Sequence, residues 1–130
     1  MSYVYLVILL MLVEYLFMGY FVSRARTRFK FPAPATTGHP EFERYLRVQQ
    51  NTVEQLIVVI PALWIFAVTL NPSWAALLGA VFIVGRAIYA WGYIQAPAQR
   101  HYGYMIGFVP MIVLLVGAFL GVVKAMLLAG

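Results

Sequence analysis

Residues 41–70 read EFERYLRVQQNTVEQLIVVIPALWIFAVTL. The first dozen are polar and open with Glu41 and Glu43, acids that suit the positive end of a helix dipole. From residue 53 the stretch turns apolar for 18 residues, close to the roughly 20 that a helix needs to cross a bilayer. Pro61 falls inside it and is tolerable there as a kink. Arg44, Arg47, Asn51 and Glu54 recur at intervals of 3, 4 and 3, which is one stripe of an α-helix. The segment therefore reads as a membrane helix with a polar seam, and that seam must face protein or water.

Three further apolar stretches surround it, giving helices at about 3–22, 41–70, 74–95 and 104–128. The whole chain agrees with this reading. Of 130 residues 64% are hydrophobic and 10% charged, whereas a soluble domain carries roughly 25% charged residues. A water-soluble monomer is excluded, and the continuous apolar runs argue against a β-barrel. One membrane domain, 1–130, is all that this length allows. The first twenty residues lack the basic start of a cleavable signal, so the first span is expected to be retained.

The basic residues Arg24, Arg26, Arg28, Lys30, Arg44 and Arg47 lie in or beside the first connection, and Arg100 lies in the third; Lys124 alone is opposite. The positive-inside rule then puts both basic loops in the cytoplasm and both termini across the membrane. The outer run Arg24, Arg28 and Lys30 suits anionic lipid head groups. This clustering at a membrane face does not describe a nucleic-acid surface. The net charge is +5 and there is no cysteine, so disulfides and a cysteine nucleophile are excluded. No aspartate is present, and His39 and His101 are not spaced as metal ligands, so no metal is expected.

Ionisable residues at membrane depth are expensive. On the third span Arg86, Tyr89 and Tyr93 recur at 3 and 4, and Arg100 follows seven later. An ion pair between Glu54 and Arg86 would join two helices but would leave Arg26, Arg44, Arg47 and Arg100 unmatched. Surplus arginines beside tyrosines point to an anionic ligand, since guanidinium groups bind carboxylates bidentately. Glu14 stands apart on the first span, as a proton-coupled small transporter would place an acid, or as a helix–helix hydrogen bond would need one.

The run Thr36-Thr37-Gly38-His39-Pro40-Glu41-Phe42-Glu43-Arg44, the set Arg47, Gln49, Asn51 and Glu54, and then Gly85-Arg86 with Tyr89, Tyr93 and Arg100 together resemble the membrane-associated proteins in eicosanoid and glutathione metabolism. The resemblance covers nearly the whole chain. It implies an all-α, up-down bundle of four transmembrane helices assembled as a homotrimer, with glutathione as co-substrate at each subunit interface. By position it implies that Arg47, Asn51, Glu54, Tyr89 and Tyr93 bind glutathione, that Arg26 and Gln49 come from the neighbouring subunit, and that Arg86 supports the site. Arg100 falls where the thiol-activating arginine is expected. Thr27 and Gln55 stand where leukotriene-forming members have an arginine and a tyrosine, so general conjugation or peroxide reduction is the expected chemistry. The electrophile would be lipophilic and enter from membrane lipid. Glutathione offers two carboxylates, an ammonium and a thiol, and the stripes hold residue types to match: Arg26, Arg47 and Arg86 for carboxylates, Glu54 for the ammonium. The alternative is a non-catalytic membrane protein of the same fold that binds and presents lipid. A transporter using Glu14 is the more distant reading.

Overall fold

The computed structural model describes the backbone of residues 1–95 and 100–130, and the side chains of 1–95 and 101–130. Four helices order the chain: α1 (Ser2–Arg28), α2 (Pro40–Thr69), α3 (Pro72–Gln95) and α4 (Arg100–Ala129). Each is long and apolar enough to cross a membrane. At 1.5 Å per residue the 24 to 30 residues of α2 to α4 give about 36–45 Å, more than the roughly 30 Å hydrocarbon core. Helix ends therefore stand out on both sides of it.

α1 runs six residues past the span ending at 22, carrying its arginines on helix to Arg28. No glycine or proline interrupts Ser23–Arg28. The helix stops at Lys30, whose φ of 53° is left-handed, and Phe31 N–H returns to the Arg26 carbonyl at 2.9 Å. That is an αL-type termination. The Thr-Gly-His-Pro turn then starts α2. Gly38 takes φ 113°, a conformation costly for other residues, and the His39 Nδ1 accepts from Phe42 N–H at 3.2 Å. Pro40 occupies the first turn, where its missing N–H is not needed. Asn71 caps α3 in the same way, its Oδ1 accepting from Trp74 N–H at 3.0 Å.

Contacts across the helices alternate in direction. Tyr5 meets Trp64 and Gly19 meets Gln49 between α1 and α2. Leu63 meets Gly79, and Gln55 meets Arg86, between α2 and α3. Gly85 meets Gly107, and Tyr89 meets Gly103, between α3 and α4. Each pair has one number rising while the other falls, which is an up-down-up-down bundle. α2 and α3 both pack against α1 and against α4. The core layer holds Met11, Leu63, Phe82 and Leu114, all fully buried.

The outside is as apolar as the inside: Leu16, Ile57, Val68, Phe119 and Leu127 are each more than half exposed. In water such a surface would aggregate; in lipid it is the solvated face. Lipid tails give helices no hydrophobic reason to associate, so close backbone approach through small residues must serve instead. α3 and α4 do this at Gly85, Gly103 and Gly107. A Cβ on Gly85 would run into the backbone of Gly107, and one on Gly103 into the backbone of Tyr89. The chain is a multi-pass integral membrane protein.

An arginine clamp beneath a polar stripe

Arg86 is 0% exposed and lies at the α2–α3 seam. Its Nη1 donates to Gln55 Oε1 at 3.1 Å, and its Nη2 donates to Asn51 Oδ1 and Thr52 Oγ1, both at 2.8 Å. The guanidinium lies 4.2 Å from the Tyr89 ring centroid, a cation–π contact within α3. Its Nε has no partner among the described residues. Burying a guanidinium is costly unless oxygens surround it, and here three neutral oxygens and one ring face do so. The alternative ion pair with Glu54 does not form in this chain, because Glu54 stands exposed on the neighbouring face of α2.

The three acceptors come from one turn of α2. Asn51, Thr52 and Gln55 share a side at helical spacing, and Thr52 Oγ1 in turn donates to the Val48 carbonyl at 2.7 Å. A hydroxyl has one donor and two acceptor sites, so Thr52 serves the helix and the arginine together. Asn51 directs its oxygen inward to Arg86, and its two N–H groups remain to donate elsewhere.

Around this clamp the sequence-derived residues fall into two groups. Asn51, Arg86, Tyr89 and Tyr93 gather on the α2–α3 seam, where Tyr89 and Tyr93 approach at 5.7 Å and Tyr89 and Tyr104 at 6.0 Å. Arg47 and Glu54 flank Asn51 on the same stripe and are exposed. Arg44 donates to the Ile94 carbonyl at 3.3 Å and ties α2 to the end of α3. Arg26 and Gln49 lie elsewhere. Arg26 donates to the carbonyls of Ala35 at 2.8 Å and Phe31 at 3.4 Å and sits 4.5 Å from the Phe42 ring centroid, pinning the first connection. Gln49 packs its amide against Gly19 of α1. In one chain, then, these two face away from Arg47, Asn51 and Glu54.

Arg86 itself is fully enclosed. Both its Nη groups are bonded within the fold and it has no exposed surface, so in one chain its polar contacts hold Asn51, Thr52 and Gln55. The side chain of Arg100, at the first residue of α4, lies outside the described residues. Thr52 was not among the residues singled out by sequence, and Gln55 entered only as a departure. Their signal was available: two polar side chains, one helical step and one turn after Asn51, in a stretch where lipid favours apolar ones. A small cavity of about 220 Å³ adjoins the stripe, lined by Thr36, Thr37, Glu43, Leu46, Arg47 and Gln50. It offers both signs of charge at the membrane face of the bundle.

The sequence profile of the MAPEG family matches residues 3–120. An uncharacterized protein of Synechocystis is 50% identical over 101 residues, which cover 78% of this chain and 74% of that one. Human microsomal glutathione S-transferase 2 is 39% identical over 106 residues, covering 82% of this chain and 72% of that protein. Leukotriene C4 synthase of Cavia porcellus is 39% identical over 79 residues, 61% of this chain and 53% of the synthase.

Proposed function

The chain belongs to the MAPEG family, and from that premise we propose that it is a membrane-bound glutathione transferase acting on lipophilic electrophiles. The observation that carries the reading is the stripe Arg47–Asn51–Glu54, in which Arg86 holds Asn51 from below. A cation, an amide donor pair and an acid in that order match a carboxylate, a peptide carbonyl and the ammonium of glutathione. The names of two relatives, a glutathione S-transferase and a leukotriene C4 synthase, support the same ligand.

In this reading Arg47 binds a glutathione carboxylate, Glu54 accepts from the ammonium, and Asn51 donates from its NH₂. Tyr89 and Tyr93 complete the α3 side, and Arg26 and Gln49 come from a neighbouring copy in a homotrimer. Arg100 holds the thiol as thiolate. A free thiol with pKa near 8.5 is only a few per cent ionised at neutral pH. A fixed guanidinium at about 4 Å, at an effective ε of about 20, favours the anion by about 4 kcal/mol before desolvation. The sulfur then forms its bond to the electrophilic carbon while the leaving group departs with its electron pair. With a lipid hydroperoxide the thiolate attacks the terminal oxygen, the O–O bond breaks and the lipid alcohol leaves after protonation. A second glutathione thiol then displaces water from the resulting sulfenic acid and gives glutathione disulfide, which is peroxidase activity. Both basic loops and the site face the cytoplasm.

The test is conjugation of an aryl halide to glutathione by the purified protein in detergent. Turnover above the uncatalysed rate is expected. Tight glutathione binding without turnover toward aryl halides, epoxides or hydroperoxides would favour the lipid-presenting reading. Absence of glutathione binding would reject the site.

A further inference from the structure

The end of α1 carries three arginines, and they are not equivalent. Arg24 and Arg28 are exposed, whereas Arg26 is half-buried. Its Nη1 donates to the Ala35 carbonyl at 2.8 Å and to the Phe31 carbonyl at 3.4 Å. Its guanidinium carbon lies 4.5 Å from the centroid of the Phe42 ring. The Arg26 carbonyl also accepts from Phe31 N–H at 2.9 Å, so these two residues are tied through backbone and side chain alike. The Arg26 Nε and Nη2 make no hydrogen bond among the described residues. Those two N–H groups form the side edge of the guanidinium fork, and that edge is left for a bidentate carboxylate.

The first connection is packed so as to hold this arrangement. Phe42 is fully buried, and its backbone is fixed by His39, whose Nδ1 accepts from Phe42 N–H at 3.2 Å. The imidazole packs 4.6 Å from the Phe29 ring and 5.9 Å from that of Phe31, and Phe31 lies 5.1 Å from Phe42. Four rings thus link the end of α1 to the start of α2, with the guanidinium on the face of one of them. An arginine side chain has much rotamer freedom to lose on binding. Here most of that loss is met in folding, before a ligand arrives, which is the basis of preorganisation.

We propose that His39 and Phe42 are positioning residues, which aim the Nε–Nη2 edge of Arg26 at a carboxylate of glutathione bound to the neighbouring copy. This rests on the glutathione reading above and adds to it two residues that do not touch the ligand. Phe42 acts through its ring face, and His39 by fixing the first turn of α2 from which that ring projects. Arginine is required at 26, because one of its nitrogens can hold two carbonyls while a second edge stays free; a lysine ammonium has no second edge to present. All of these contacts lie within one chain. The cradle therefore exists before assembly, and the guanidinium meets the interface already aimed.

The experiment uses the whole chain in phosphatidylcholine nanodiscs and reads the Kd for glutathione by calorimetry, with kcat for aryl halide conjugation beside it. Arg26→Lys should raise Kd about tenfold or more, the worth of a charge-assisted hydrogen bond. His39→Ala should raise it about three- to tenfold, the usual worth of a helix cap, with kcat little changed because the lost contact is uniform binding. His39→Asn, which restores an acceptor at the cap, should return Kd to about the native value. Phe42→Leu keeps apolar volume, removes the ring face and should behave as His39→Ala does. In an Arg26→Gln background neither His39→Ala nor Phe42→Leu should weaken glutathione further, since both act through Arg26. Further weakening in that background would mean that the connection has only a structural role, and would overturn the proposal. Native Kd in His39→Ala, or failure of His39→Asn to restore it, would do the same, and the His39 pair serves if Phe42→Leu does not fold. Any of these results beside native glutathione binding in the unmodified chain overturns the positioning role alone. An unmodified chain that binds no glutathione overturns the glutathione reading, and the positioning role with it.

Discussion

The Asn51 amide accepts from Arg86 at 2.8 Å, and this one bond decides which way its donors point. Gln55→Leu removes a neighbouring acceptor from the same buried guanidinium. We expect a loss of about 1–3 kcal/mol in folding stability, the usual consequence of leaving a buried donor unpaired, read from thermal unfolding in detergent; an unchanged Tm would mean that water takes the place of Gln55. Glu54→Gln acts differently because Glu54 is exposed and makes no hydrogen bond or ion pair among the described residues. It should raise the Kd for glutathione about tenfold or more, with kcat little changed, since an interaction with a persistent ammonium contributes uniform binding. Equal affinity by calorimetry would remove Glu54 from the site. Arg100→Ala should lower turnover about ten- to a hundredfold while glutathione still binds, because about two pKa units of thiol activation correspond to about 2.7 kcal/mol. Thiolate absorbance of bound glutathione, followed against pH, checks it: the same titration midpoint in both proteins would reject the activating role.

The α3–α4 pair depends on backbone contact more than on side-chain interlock. Gly103 faces the backbone of Tyr89, whereas the nearest atom to a Cβ on Gly107 would be the Arg86 side chain at 3.5 Å, an ordinary contact. Gly103→Ala should therefore force the helices apart and cost at least about 1–3 kcal/mol through overpacking. Gly107→Ala should be neutral or stabilising by up to about 1 kcal/mol from helix propensity. Unfolding midpoints of the two variants make the comparison, and equal destabilisation would show that the close approach is not what holds α4. The first variant also bears on the site, since Tyr89 carries the ring face against Arg86. A shifted α4 would disturb the clamp without touching any polar group.

One chain leaves its polar seam unfinished. Arg47 and Glu54 are exposed beside Asn51, while Arg26 and Gln49 are occupied on the α1 side of the same chain. Bringing the two groups around one ligand requires a neighbouring copy, and in the homotrimer proposed above the expected particle in mild detergent has about three times the 14.7 kDa chain mass. Light scattering coupled to chromatography measures this. A stable, active monomer would reject the interfacial site, and an inactive monomer that regains conjugation on assembly would support it.

Hydropathy alone determined that residues 53–70 cross a membrane and that three more spans accompany them, because each helix must close its own backbone hydrogen bonds in lipid. Spacing alone placed Arg44, Arg47, Asn51 and Glu54 on one stripe, because helical geometry is local. The Gly-His-Pro start of α2 was equally legible, its cap being formed within four residues. The Arg86 partners were not. Pairing Arg86 with Glu54 satisfied charge, yet the rotation of α2 against α3 turned Asn51, Thr52 and Gln55 inward and left Glu54 outside. That rotation belongs to packing between residues far apart in sequence, Leu63 against Gly79 among them. The six-residue extension of α1 was missed for a related reason: hydropathy marks where lipid ends, and the helix itself continues until Lys30 turns left-handed. Which polar groups line a helix was a property of the chain; which of them meet a partner, and which remain for a ligand, was decided by how the helices turn toward one another.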